Sequence, residues 1–243
     1  MAAYKRIVLK LSGETLAPEK KNFHPDLKSF SFDAARVDSA AEMIGKLHDM
    51  GVQVGVVMGG GNIWRGRFTD AMNPVNADQM GMLATIINAL AVQDALVRLG
   101  YKATVLTAQE MTRFARLYTR DTAISLLEDG HIVLLAGGSG NPFFTTDTAA
   151  ALRAAELNAD AVFKGTTVDG VYTADPKKNP NAKFVPECTY DDAIRNGWGV
   201  MDLTAFMLCK EQKVPVIRVF NMDNLDNILK VAAGDTLGTT AHL

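Results

Sequence analysis

Residues 131–157 pass from a short apolar run, HIVLLA, through the turn GSGNPFFTTD at 138–147 into a run with Ala149, Ala150, Ala151, Leu152, Ala154 and Ala155 at helical spacing. A buried strand that meets a glycine turn and then a helix is one unit of an alternating α/β fold, and no other stretch constrains the chain as much. The glycines let main-chain N–H groups converge without side chains in the way. The helix end adds a partial positive charge, so the ligand such a turn suits is an anion.

The pattern recurs. RIVLKLSG at 6–13 is a strand running into a glycine, with Lys10 just before the turn, and AVFKG at 161–165 repeats strand, lysine and glycine with Lys164. Taken alone, Lys10 reads more readily as a solvated lysine at a strand end; the second glycine turn shifts the reading to phosphate binding. VQVGVVM at 52–58 runs into GGGNIWRG at 59–66. Consecutive glycines bury nothing and cost chain entropy, so they are expected where backbone approaches a ligand closely, with Arg65 and Arg67 in reach.

Between these units, residues 14–32 lose periodicity and read as a long exposed loop in which His24 is a surface histidine. Asp33 is placed to cap a helix reaching Gly51. Residues 78–99 form a helix whose Met80, Leu83, Ile86, Ile87 and Leu90 cover more than one face, which suggests burial against the core and against another subunit. Asp78 either caps that helix or binds ribose hydroxyls. Residues 104–107 are a strand, and Arg113, Arg116 and Arg120 at helical spacing read as a solvated face. Asp169-Gly170 marks a hairpin, 177–181 a flexible lip, 190–196 and 203–213 helices, 214–220 the last long strand with Pro215 at its first position, and 224–233 a closing helix. Strands alternating with helices predict a three-layer αβα sandwich on a mainly parallel sheet, in one domain over 1–243, with the site at the carboxyl ends of the strands.

A chain of 243 residues, 48% of them apolar, can bury a full core, and a net charge of -2 gives no bulk attraction to nucleic acid or to an anionic membrane. Cys188 and Cys209 form no CxxC and read as ordinary thiols. The first residues hold no signal-peptide core, and no stretch approaches the roughly 20 apolar residues of a membrane span, so a cytoplasmic protein is expected. There is no GxxxxGK[ST], the central turn lacks the third glycine of GxGxxG, and GxSxG and HExxH are absent, which leaves phosphate binding by a different set of loops.

The strings KLSGE at 10–14, GGGNIWRG at 59–66, GNPFFTTD at 140–147, VDGVYTADP at 168–176 and VMDL at 200–203 resemble, in order and spacing, the bacterial uridylate kinases of the amino-acid-kinase superfamily. The resemblance covers nearly the whole chain. GNPFFTTD is specific to the uridylate kinases, whereas the first lysine and glycine turn is shared with carbamate, glutamate and aspartate kinases. It implies an amino-acid-kinase (carbamate-kinase-like) fold and transfer of the ATP γ-phosphoryl group to UMP in pyrimidine nucleotide synthesis. It further implies ATP contacts at Lys10, Leu11, Ser12, Gly13, Gly61, Arg65, Thr166, Tyr172 and Asp175. UMP contacts are implied at Gly60, Asp78, Ser139, Gly140, Asn141, Pro142, Phe143, Phe144, Thr145 and Thr146. The family is typically a homohexamer that uses Mg²⁺, is inhibited by UTP and in many members is activated by GTP. Three features depart from its pattern: the 17–32 segment is longer than expected in the region associated with GTP activation, Ser139 stands where threonine is common, and Thr167 where lysine is common.

Physical chemistry agrees with that expectation. A phosphate monoester has a second pKa of about 6, so UMP is already an ionised nucleophile at neutral pH and needs no general base. Two phosphates instead need their repulsion neutralised, which Lys10, Lys164, the glycine amides and Mg²⁺ held on phosphate oxygens can do. Asp147 orients the lysines or caps the helix that follows; no side chain is assigned to the metal. Phe143 and Phe144 pack on uracil or in the core.

Overall fold

The computed structural model describes residues 2–18, 32–64, 66 and 72–243; most of the 14–32 loop, His24, Arg65 and Arg67 lie outside the described residues. The first strand, β1 (Arg6–Leu11), leads through a 3-10 turn (Gly13–Leu16) to α1 (Ala34–Asp49) and β2 (Gln53–Met58). Then come α2 (Pro74–Arg98), β3 (Ala103–Thr107), β4 (Arg116–Leu117), α3 (Arg120–Glu128), β5 (Ile132–Ala136) and α4 (Thr146–Glu156). The rest is β6 (Ala161–Thr166), β7 (Val171–Tyr172), β8 (Phe184–Val185), β9 (Glu187–Thr189), α5 (Tyr190–Asn196), α6 (Leu203–Glu211), β10 (Val216–Asn221), α7 (Asn227–Ala232) and β11 (Thr239–His242).

Nine strands make one sheet in the order β4-β3-β5-β2-β1-β6-β10-β11-β9. Its pairings are parallel except that β10 meets β11 antiparallel. Side-chain alternation sorts each strand onto two faces. Ile7, Leu9, Leu11, Val54, Val56 and Phe163 join a core with α1, α2 and α7. Val8, Val57, Val133, Val162 and Ile217 join a second core with α3, α4, α5 and α6. The three-layer expectation holds.

Several elements differ from expectation. The second helix begins at Pro74, where Asn73 accepts the Val75 N–H at 2.9 Å, so Asp78 lies in its second turn and is not its cap. The same helix is long and apolar enough to cross a membrane by length and composition, against the expectation that no stretch comes near. Its apolar residues are spent differently: Ala89, Val92 and Leu96 are buried in the first core, while Met80, Leu83, Ile87 and Val97 are exposed. The helical spacing of Arg113, Arg116 and Arg120 is not realised, because Arg116 enters the short edge strand β4 and Arg120 opens α3. Asp169-Gly170 precedes β7 and does not form the hairpin tip; β7 pairs with β8 across residues 173–183. Pro215 falls just ahead of β10, and the closing helix is shorter than 224–233 at both ends.

Both cysteines are buried and free, and burial pushes the thiols up to about 11 for Cys188 and about 12 for Cys209, which leaves them unreactive at neutral pH. Arg218 is a buried cation that closes the fold. It donates to the Asp235 carbonyl at 2.8 Å, the Leu237 carbonyl at 3.0 Å and the Tyr4 hydroxyl at 3.2 Å, tying β10 to both ends of the chain. Arg218→Met keeps the stem and strips the donors from two carbonyls. It is expected to cost about 2 to 4 kcal/mol in urea unfolding, and a loss under about 0.5 kcal/mol would show the bonds to be dispensable.

Candidate functional site

The site is built where β1 and β6 pair. Their parallel register sets Lys10 opposite Lys164, and alternation turns both away from Leu9 and Phe163 toward the face covered by α4. Asp147, in the first turn of α4, meets both ammonium groups: Lys10 Nζ lies 3.2 Å from Oδ1, and Lys164 Nζ donates to Oδ2. Thr145 caps α4, accepting from the Asp147 N–H at 3.0 Å, so the carboxylate is spared from capping and left to the lysines. Burial alone would raise the Asp147 pKa, but the charges and hydrogen bonds of Lys10 and Lys164 outweigh it and hold the carboxyl below the usual range. Burial and the neighbouring Lys10 depress Lys164, against the pull of Asp147.

Two clefts are lined by residues close in sequence to this triad. One is lined by Gly60, Gly61, Asp78, Ser139, Asn141, Phe144, Thr145 and Thr146, which gathers most positions expected to meet UMP, together with Gly61 from the ATP set. Gly140 and Pro142 complete that turn; Gly140 accepts from Gln109 through its carbonyl at 2.6 Å. Phe143 and Phe144 are exposed, 72% and 50%, so the core alternative fails for both. The other cleft, of 480 Å³, is within the range of small-molecule pockets and is lined by Thr166, Tyr172, Asp175, Lys177, Trp198 and neighbours. It brings together Thr166, Tyr172 and Asp175. Leu11 is fully buried and offers only its backbone, Ser12 starts the 3-10 turn, and Arg65 lies outside the described residues.

The glycines have a packing reason besides the ligand approach expected of them. A Cβ on Gly13 would stand 2.8 Å from the Gly59 carbonyl and 2.9 Å from Asn88 Nδ2, and one on Gly60 would stand 2.8 Å from the Gly81 carbonyl. The turns therefore need glycine to pack on each other and on α2, before any ligand arrives. Left-handed backbone at Gly137, Gly138 and Gly140 is free of strain, whereas Phe143 holds φ 72 at a cost of about 1 to 2 kcal/mol for a residue with a Cβ.

A profile of the amino acid kinase family matches residues 5–221. The chain belongs to the amino acid kinase family. A uridylate kinase from Bacteroides thetaiotaomicron is 48% identical over 244 residues, with all of both chains covered. One from Phocaeicola vulgatus is 47% identical over the same span, again covering both in full. Among solved structures, the UMP kinase of Bacillus anthracis matches with a TM-score of 0.90 at 36% identity, covering 98% of this chain and 96% of that one.

Three residues of this amino acid kinase chain matter to the site and were not singled out from sequence. Asn88, fully buried on α2, donates to the Gly59 carbonyl at 2.6 Å and to Asn62 Oδ1 at 2.8 Å, holding the second glycine turn. Thr85 accepts the Gly137 N–H at 2.8 Å and so holds the central one. Two polar residues one helical turn apart in the otherwise apolar stretch 80–92 of that helix were the available signal. Asp202, inside the VMDL string, caps α6 through the Ala205 N–H at 2.7 Å and accepts from the hydroxyls of Thr145 and Thr148. It joins the end of the central turn to the segment before α6, whose residues 197–200 line the larger cleft.

Proposed function

We infer that this chain transfers the γ-phosphoryl group of ATP to UMP, reversibly, giving UDP and ADP in the supply of pyrimidine nucleotides such as CTP. The observation that carries the reading is the clamp of Lys10 and Lys164 about Asp147, close in sequence to residues that line two clefts. Asp147 follows directly on Thr146 of the acceptor cleft, and Lys164 precedes Thr166 of the donor cleft by two residues. Paired cations at that point neutralise a charge that is spread over a transferring phosphoryl group.

In this reading UMP occupies the cleft of Asp78 and the 138–146 turn, and ATP lies along Thr166, Tyr172 and Asp175, with its phosphates near Lys10, Ser12, Gly13 and Gly61. Among the described residues no three His, Cys, Asp or Glu side chains cluster as a metal cage. Mg²⁺ suits such a site when held through ATP phosphates and water, and when bound it shields the charge between donor oxygens. The exposed Met80, Leu83 and Ile87 on α2 support a further assembly of like chains, for which a homohexamer is the proposal. UTP, sharing uridine and phosphates with the substrate, is proposed as an inhibitor, GTP as an effector, and the cytoplasm as the location. One domain over 1–243 is proposed for the whole.

ADP release with Mg-ATP and, separately, UMP, CMP, dUMP, glutamate, aspartate and carbamate tests the reaction. Turnover is expected with UMP far above every other acceptor. Turnover with an acid or with carbamate would make this a carboxylate-type kinase, and silence in every well while UTP binds would make it a nucleotide-binding regulator.

A further inference from the structure

The acceptor turn is held unevenly. Its first half is tied down several times: Gly137 N–H to Thr85, Gly140 N–H to the Gly137 carbonyl at 3.1 Å, the Gly140 carbonyl to Gln109, and the Gly138 carbonyl to Arg153 at 3.5 Å. Residues 142–144 have no such support. Phe143 and Phe144 project into solvent, and Phe143 sits in the left-handed region, which a phenylalanine does not hold without restraint. Among the described residues, the one hydrogen bond from 142–144 to the rest of the protein is Phe143 N–H to Asp78 Oδ2, at 2.7 Å across 65 positions of sequence. Asp78 is well placed for it, fixed in the second turn of α2 beside the backbone of the glycine turns.

We propose that Asp78 is a positioning residue that presets the acceptor turn before nucleotide binds, by holding the left-handed Phe143 backbone through its N–H. One carboxylate oxygen does this; Oδ1 has no partner among the described residues and stays available to a ligand hydroxyl. The turn then meets its ligand already shaped, and less ordering opposes binding. For its kinetic part the proposal rests on UMP being the acceptor; its structural part does not.

The test compares Asp78→Ala, which has no acceptor for the Phe143 N–H, with Asp78→Asn, which keeps one. Amide hydrogen exchange of the peptide containing Phe143 is read on nucleotide-free protein. Exchange about tenfold faster in Asp78→Ala and near the parent rate in Asp78→Asn is expected. Steady-state kinetics then give KM for UMP and for dUMP. In Asp78→Ala the KM for dUMP is expected to rise about tenfold or more and that for UMP by at least as much, since UMP also loses any hydroxyl contact to Oδ1, with kcat little changed and with partial rescue in Asp78→Asn. Unchanged exchange in Asp78→Ala would overturn the proposal, as would a KM rise confined to UMP, which would make Asp78 a contact of the 2′-hydroxyl alone. If the parent protein fails to turn over UMP, the functional reading falls while the exchange result still decides this one.

Discussion

Lys10→Ala is expected to lower kcat by about 10² to 10³ while leaving UMP binding nearly intact, the range seen when one preorganised donor to a developing charge is removed. The lysine stands 3.2 Å from Asp147 Oδ1 and is the more exposed of the pair, with 15% of its side chain accessible against 9% for Lys164, so it is the cation better placed to reach a ligand. The acceptor turn hangs on α2 and α4 rather than on β1, which is why acceptor affinity should survive. Rapid-quench kinetics with calorimetric titration of UMP measures both. Equal loss of turnover and of UMP affinity would contradict a role on the transferring group.

Asp147→Asn should be the most damaging change to stability. It leaves two ammonium groups opposite one another on paired strands without their shared counter-charge, and breaking a buried ion pair by removing one partner costs about 3 to 5 kcal/mol. The sign of its pH dependence follows from linkage. The folded carboxyl titrates below the usual range, so its stabilisation is fully present above the unfolded carboxylate pKa of about 3.9 and is lost as pH falls through the folded value. Urea unfolding of parent and variant should therefore differ most near neutrality and converge below about pH 4. A gap that stays constant into acid would mean that the loss is one of packing rather than charge.

The parts of this molecule that could be read from its sequence are those with one dominant cause. Buried parallel strands show as unbroken β-branched and leucine runs, so β1, β2, β5 and β6 were expected within a residue or two of their ends. Asp33 caps α1 as expected, and α5 spans the expected 190–196 because Thr189 and Asp192 form a reciprocal capping box. Elsewhere two causes compete in one stretch. Asp78 looked like a cap because the apolar pattern of α2 begins near it, although Asn73, followed by Pro74, carries the start signal five residues earlier. The edge strand β9 and its neighbour β11 are short and polar, with no apolar run, so nothing distinguished them from loop. Of the site, the two lysines were visible as chemistry. Their shared carboxylate was visible only as one of two roles, and the support from Thr85, Asn88 and Asp202 depends on distances across the fold that no local pattern encodes.

The pairing of β1 with β6 also makes activity a reporter of folding. A slip of one residue between these strands would set Lys10 against Phe163 or Gly165 and swing alternate side chains to the wrong layer, driving an ammonium into the apolar packing beneath α1 and α7. No such misassembled chain could phosphorylate anything. For a preparation of this protein, specific activity per mole therefore counts correctly threaded sheets, and a batch whose spectrum looks native but whose turnover is low should be suspected of a threading fault before a chemical one.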